Sequence, residues 1–298
     1  MNVIRPNAMT KAQLVSTTAV EQWPTWAAGT TYAAGNRVVH DLSIFQSLSA
    51  SNIGQNPDTS PLAWVRIGPS NRWAMFDQEV QTQTIGAGVL TAVFSTGGID
   101  ALFIGNALAA SVTVTVRDGL GGAIVYQQTQ TMAGLVVSNW FEYFYFDPFV
   151  LRTQAVFADI PPVPAAHVTL ALDGGGATAA CGIVSFGRVY NVGSTASGAR
   201  AGMIDFSRKT TDDFGTTTFV RRGFSKRMSA NVLIEHGHVN RVQRLLYDLR
   251  ATPAVWIAND GEAQIEEPLI QFGFVRDFGT DITYAHLTHC NLEIEGLI

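Results

Sequence analysis

The sequence predicts a mainly β protein, and three observations predict it. Charged residues make up only 14% of the 298, against roughly a quarter in an average globular chain, while glycine is abundant at 28. Two runs, Ser111-Val112-Thr113-Val114-Thr115-Val116 and His167-Val168-Thr169-Leu170-Ala171-Leu172, alternate with period two, as half-buried strands do. A clear helical period occurs in one place, His238–Arg250. The class is a small aromatic-cored β module over residues 21–69, a jelly-roll-like β-sandwich over 70–192 and a C-terminal α+β sandwich with one helix over 193–298. Residues 1–20 are aperiodic and read as an N-terminal arm, either ordered by a partner or a disordered tail.

In the first piece, Gly29, Gly35, Gly54 and Gly68 with Pro24, Pro57 and Pro61 cut the chain into short strands. Aliphatic residues are too few for a large core, so Trp26, Tyr32, Phe45 and Trp64 must supply much of the apolar contact. The order Trp26, Tyr32, Gly35-Asn36, Val38-Val39, Phe45, Gly54, Pro57, Trp64, Gly68 resembles carbohydrate-binding modules of the chitin-binding type, families 5 and 12. Asn36 stands where that family usually has Asp, and Phe45-Gln46-Ser47 where it has a Tyr-x-Ala triplet. The resemblance covers about 45 residues. It implies a small β fold that serves either as a spacer or as a sugar-binding unit, with Trp23, Trp26, Tyr32 and Trp64 as the candidate stacking rings.

In the second piece, Asp118-Gly119 and Asp173-Gly174-Gly175-Gly176 read as turns between strands. The opening Asn71-Arg72-Trp73-Ala74-Met75-Phe76-Asp77 resembles the first strand of galactose-binding-like jelly rolls. Trp140–Phe146, "WFEYFYF", places six aromatics in seven residues. As a strand it is aromatic on both faces, which calls for burial inside the sandwich or for a partner on one face.

The third piece holds 11 of the 19 basic residues and 13 of the 24 acidic ones. On its helix, Val239, Val242, Leu245, Leu246 and Leu249 form one stripe and Pro253 follows it. Strands are expected at 217–224, 229–235, 254–258, 269–276 and 284–294. Arg208, Lys209, Arg221, Arg222, Lys226 and Arg227 form a basic stretch. It reads as a nucleic-acid surface, as a solvated strand face, or as arginines docking a neighbouring subunit. The third reading is preferred, because the piece is net acidic.

The order of "FSRKTTDDFGTTTFVRRGFSKRMSANVLI", the helix, "PAVWIANDG", "PLIQFGFVRDF" and "YAHLTHCNLEIEGL" is similar to tail-tip proteins of long-tailed bacteriophages. The resemblance implies a distal-tail or baseplate structural protein whose last domain forms a ring continuing the tail tube. Its partners would be tube, hub and tape-measure proteins and further copies of itself, a hexamer ahead of a trimer, with a host-surface glycan as a further partner. The alternative is a secreted or cell-surface polysaccharide-binding protein, or an accessory module of a glycan-degrading enzyme.

Chemistry-bearing patterns are sparse. The net charge of −5 gives no bulk attraction for nucleic acid. His286-x-x-His289 would place its rings on opposite strand faces, so no metal is expected. Glu142, Asp147 and Asp159 lie near the aromatic run without forming an evident pair, and Gly174-Gly175-Gly176 lacks a phosphate-loop lysine. No cofactor and no enzymatic activity are expected. Cys181 and Cys290 are distant and form no disulfide framework. The N-terminus lacks a signal-peptide core and no apolar run reaches the ~18 residues of a span. The expectation is a protein made in the host cytoplasm, released by lysis within a virion tail, and not inserted in a membrane.

Overall fold

The computed structural model describes residues 1–135, 140–145, 149–258, 267–281 and 286–297. In chain order the first strands are β1 (Asn2–Pro6), β2 (Leu14–Thr17), β3 (Arg37–His40), β4 (Ser43–Ser47), β5 (Trp64–Pro69), β6 (Thr84–Ser95), β7 (Ala101–Leu108), β8 (Ser111–Asp118) and β9 (Ile124–Thr131). The middle of the chain holds β10 (Ala133–Leu135), helix α1 (Trp140–Tyr145), β11 (Phe149–Leu151), β12 (Ala155–Phe157) and β13 (Ala166–Asn191). The last third holds β14 (Ser194–Thr195), β15 (Arg200–Asp205), β16 (Arg208–Thr211), β17 (Thr217–Val220) and β18 (Phe224–Glu235). Helix α2 (Val239–Asp248), β19 (Ala254–Ile257), β20 (Ile270–Asp281) and β21 (Leu287–Gly296) follow. The protein is mainly β, as its composition and alternation predict.

The chain forms two compact units. One comprises Ala8–Gly98 and Ile104–Val184; the other comprises Met1–Asn7, Ile99–Phe103 and Ser185–Ile298. In the first, the predicted alternating runs lie in β8 and β13 and pair antiparallel, Val112 opposite Leu172 and Val116 opposite Val168. Strand β13 also pairs with β6, β6 with β2, and β8 with β9. The period-two pattern turns Val112, Val114, Val116, Val168, Leu170 and Leu172 inward, and all six are buried. Gly174–Gly176, expected as a turn, is instead a bulge within β13, where the register with β6 shifts between Asp173 and Thr178. Gly175 and Gly176 have φ of 63° and 90°, which glycine adopts without strain, and the Asp173 carboxylate accepts from the Gly175 N–H at 2.8 Å.

Strands β3, β4 and β5 form a separate three-stranded antiparallel sheet in this unit. Its core consists of Tyr32, Val38, Phe45 and Trp64, with Trp26 and Ala63 packed against it. The aromatic residues thus supply most of this small core, as their spacing implies. Tyr32 and Trp64 meet edge to face at 5.2 Å, and the Trp64 indole N–H donates to the Gln55 carbonyl at 2.9 Å.

In the second unit the strands run β13, β1, β19, β20, β21, β18, and β14 and β15 pair with β18. Residues 2–6 are therefore not an arm. Strand β1 lies between β13 and β19, and Met1, Val3 and Ile4 are buried. Its apolar side chains and two ladders of backbone hydrogen bonds outweigh the entropy of a free end. Helix α2 buries the predicted stripe: Val242, Leu245, Leu246 and Leu249 join a core with Trp256, Leu292 and Ile294. The Trp256 indole N–H donates to the Gly273 carbonyl at 3.1 Å.

Candidate assembly surface

Between the core strands of the second unit lies a stretch with no core of its own. Every residue from Arg208 through Phe224 is exposed, as are Arg200, Ala201, Gly202 and Met203. Yet the stretch is regular. Strands β15 and β18 pair from Arg200↔Ser229 to Asp205↔Phe224, and β16 and β17 pair from Arg208↔Val220 to Thr211↔Thr217.

Local side-chain bonds give this arm its order. The Asp205 carboxylate accepts from the Ser207 N–H at 2.8 Å, and the Ser207 hydroxyl accepts from the Arg222 N–H at 3.0 Å. The Ser207 hydroxyl and N–H hold the Asp205 carboxyl below its usual range, with a smaller contribution from the Arg221 charge. At the far end, one Asp212 carboxylate oxygen accepts from the N–H groups of Phe214 at 3.0 Å and Thr216 at 2.7 Å. That Asx-type turn fixes the loop and leaves the Phe214 ring 94% exposed.

The arm is apolar as well as basic. Met203, Phe206, Phe214, Phe219, Val220 and Phe224 are all exposed. The register sets basic and apolar residues opposite each other: Met203↔Lys226, Lys209↔Phe219 and Arg208↔Val220. Of the six predicted interface residues, Arg208, Lys209, Arg221 and Arg222 lie on the exposed arm and Lys226 at its base. Arg227 does not join them, because its guanidinium pairs with Glu293 at 2.7 Å across the β18–β21 ladder. The exposed phenylalanines are functional candidates that charge-based reading missed. Their signal was the density of Phe in a stretch otherwise made of Thr, Arg, Asp and Gly.

The predicted stacking rings of the small module sit elsewhere. Trp64 is 2% and Tyr32 7% exposed, so neither offers a face to a pyranose; both are core. Trp26 is partly buried against that core and meets the His40 ring at 5.2 Å. Trp23 is half-buried, with the Arg37 guanidinium 5.4 Å from its ring centroid. A cleft of about 640 Å³ in the same module is lined by Ser49, Asn52, Gln55, Ser60, Leu62 and neighbouring residues, and by none of these rings. Asn52 is buried, and its Oδ1 has no hydrogen-bond partner among the described residues.

The aromatic run departs most from expectation. Trp140–Tyr145 is helix α1, not a strand, and Trp140, Phe141, Phe144 and Tyr145 are exposed rather than buried. The helix brings Trp140 over Phe144 (6.2 Å) and Phe141 over Tyr145 (4.8 Å), i,i+4 contacts that an extended chain cannot make. Phe146 and Asp147 lie outside the described residues.

Other titratable groups carry shifts of structural origin. Burial pushes the Cys181 thiol up to about 12 and the Cys290 thiol up to about 11, which removes thiolate character at neutral pH. Burial and the Asp159 carboxylate, 2.6 Å away, raise the Tyr126 hydroxyl. Burial also raises the Asp77 carboxyl against the opposing hydrogen bond from Thr82.

No family model and no curated protein matches the chain. Among solved structures it is similar to a chitosan-binding module of a chitosanase/glucanase from Paenibacillus sp. IK-5. That similarity has 14% identity and a TM-score of 0.26, over 40% of this chain and 83% of that one. It is also similar to an F5/8 type C domain of a Bacteroides fragilis protein, with 14% identity and a TM-score of 0.25, over 39% of this chain and 78% of that one.

Proposed function

We propose that this chain is a structural subunit that assembles with copies of itself through the arm of β15, β16, β17 and the start of β18. The single observation that carries the reading is an ordered ribbon whose phenylalanines face solvent. A two-stranded ribbon is marginal in water on its own, and a cluster of exposed large apolar side chains marks an interaction surface. Covering the four rings at 206, 214, 219 and 224 would remove roughly 500 Å² of apolar surface, worth about 12 kcal/mol before association costs of about 4–15 kcal/mol. The arginines beside them suit acidic groups on a neighbour.

The resemblance of residues 193–298 to phage tail-tip proteins supplies the kind of assembly. We place the chain in the tail tip or baseplate of a virion, as a ring continuing the tail tube, six subunits ahead of three. A head-to-tail contact whose rotation closes gives such a ring. Tube, hub and tape-measure proteins would be its neighbours, and lysis would release it from the host cytoplasm. No catalytic role is assigned.

The test is the mass of the purified chain across a concentration series. Wild type should grow from 32.1 kDa to a discrete multiple. The variant Phe214→Ser/Phe219→Ser should require at least ~100-fold higher concentration and should melt as dilute wild type does. A wild type that stays monomeric, or a variant that associates equally well, overturns the proposal.

A second reading, glycan binding by the small module, is favoured only by the polar cleft at Ser49–Ala63 and the unpartnered Asn52 Oδ1. A chito-oligosaccharide titration of wild type and Asn52→Ala would decide it. No saturable binding by wild type would end that reading.

A further inference from the structure

We infer that the face of β20, β21 and β18 turned away from helix α2 is the seat for the arm of the next copy, so that each chain meets its neighbour arm to face. The inference rests on the assembly reading above and names the surface on the other side of that contact.

The registers define this face. Helix α2 covers one side of the three strands, where Val232, Leu292 and Phe278 pack with its apolar stripe and Thr280 lies 3.5 Å from the Gln243 amide. By period-two alternation the intervening residues point the other way. There Asp281 lies beside His289, Gly279 beside Asn291 and Asp277 beside Glu293. Asp277, Gly279, Asp281 and Asn291 are exposed, so the chain itself leaves the middle of this face open.

Three observations fit the face to the arm. The first is charge. Glu293 is held by Arg227 at 2.7 Å and Glu295 by Arg276 at 3.6 Å, while Asp277 and Asp281 have no ion-pair partner among the described residues. On the arm, Arg208, Lys209 and Arg222 likewise have none. Each surface carries the sign that the other lacks. The second is a local penalty. Asp277 stands opposite Glu293 across the β20–β21 ladder, a like-charge cross-strand pair that costs stability in the single chain. A cation from a neighbour turns that cost into attraction. The third is shape. Gly279 stands between the two aspartates, and a Cβ built there meets nothing within 4 Å, which leaves a bare patch of backbone open to a ring. Asp277, Gly279 and Asp281 follow one another at roughly 6.6 Å. The arm pair Lys209↔Phe219 sets an amine and a 71% exposed ring on one face of the ribbon, with Cβ atoms about 5 Å apart. Phe219 seated over Gly279 brings the Lys209 amine within reach of a flanking carboxylate, the lysine stem covering the difference.

Arm and face are different surfaces of the same unit. The contact is therefore head to tail, the kind whose rotation closes into a ring.

The test uses two variants of the full chain, alone and mixed, across a concentration series. The face variant Asp277→Lys/Asp281→Lys should need at least ~100-fold higher concentration than wild type to associate, about tenfold for each reversed charge. When dilute it should melt no lower than dilute wild type, because the opposed carboxylates at 277 and 293 are relieved. The arm variant is Phe214→Ser/Phe219→Ser. In an equal mixture the intact arm of the first meets the intact face of the second, so a 1:1 pair of twice 32.1 kDa should form and grow no further. A face variant that associates like wild type overturns the inference and leaves the arm reading standing. A mixture that forms no pair, although each variant alone is impaired, overturns it as well. A wild type that stays monomeric removes the assembly reading and this inference with it. Should the face variant fail to fold, Gly279→Trp decides. Its backbone is outside the left-handed region and the space around it is open, so that variant should fold, and wild-type association by it would overturn the inference.

Discussion

Replacing Trp64 with Ala separates a core ring from a ligand platform. The indole is 2% exposed, packs edge to face on Tyr32, and donates to the Gln55 carbonyl. Truncating a buried Trp to Ala typically costs 3–5 kcal/mol through lost transfer energy and the cavity left behind. The Tyr32 contact adds about 1 kcal/mol, and an unpaired Gln55 carbonyl about 1 kcal/mol more, less if water reaches it. Only Tyr32, Val38 and Phe45 would remain fully in the core, with Trp26 and Ala63 at its margin. A loss of about 5 kcal/mol should therefore melt residues 21–69 while the β8–β13 pairing persists, a sub-global unfolding. Hydrogen exchange would read it: amides of β3, β4 and β5 should lose protection and those of β8 keep it. A variant that keeps its protection, with a cost below about 1 kcal/mol, would refute the placement of Trp64 as the centre of this core.

Two further outcomes follow from burial. Ile4, fully buried in β1 between two ladders, should cost about 2–5 kcal/mol on Ile4→Ala in urea unfolding; a change below 0.5 kcal/mol would fit a free arm instead. The Cys181 thiol has its pKa raised from 9.0 to about 12 by burial. Its folded state favours the neutral thiol, so the contribution to stability is complete below pH 9 and is lost as pH rises toward 12. At pH 10.5 the difference is about 2 kcal/mol at 1.36 kcal/mol per unit. The fall in stability between pH 8.5 and 10.5 should be smaller by about that amount in Cys181→Ala, and equal slopes would contradict the burial argument.

What was legible in the sequence was what local pattern encodes. The stripe of α2 and the alternation of β8 and β13 are periodic, and their faces follow from geometry. The core of the small module was legible because few other residues could build it. What was hidden depends on partners distant in sequence. Strand β1 is too short for a period and is set by residues near 190 and 256. Arg227 is removed from the basic surface by Glu293, 66 positions later. The aromatic run has high β propensity, and only ring stacking along a helix reveals the other state. In the arm, the basic residues were visible by charge. The exposure of Phe214 depends on the turn that Asp212 builds, which no count of charges shows.

The most direct test of the arm as an assembly surface is hydrogen exchange of the amides in Arg208–Thr211 and Thr217–Val220, compared between dilute and concentrated protein. A ribbon with no core of its own should exchange rapidly when dilute and gain protection in step with the growth in mass. Rapid exchange at every concentration, or full protection already in the monomer, would contradict the account.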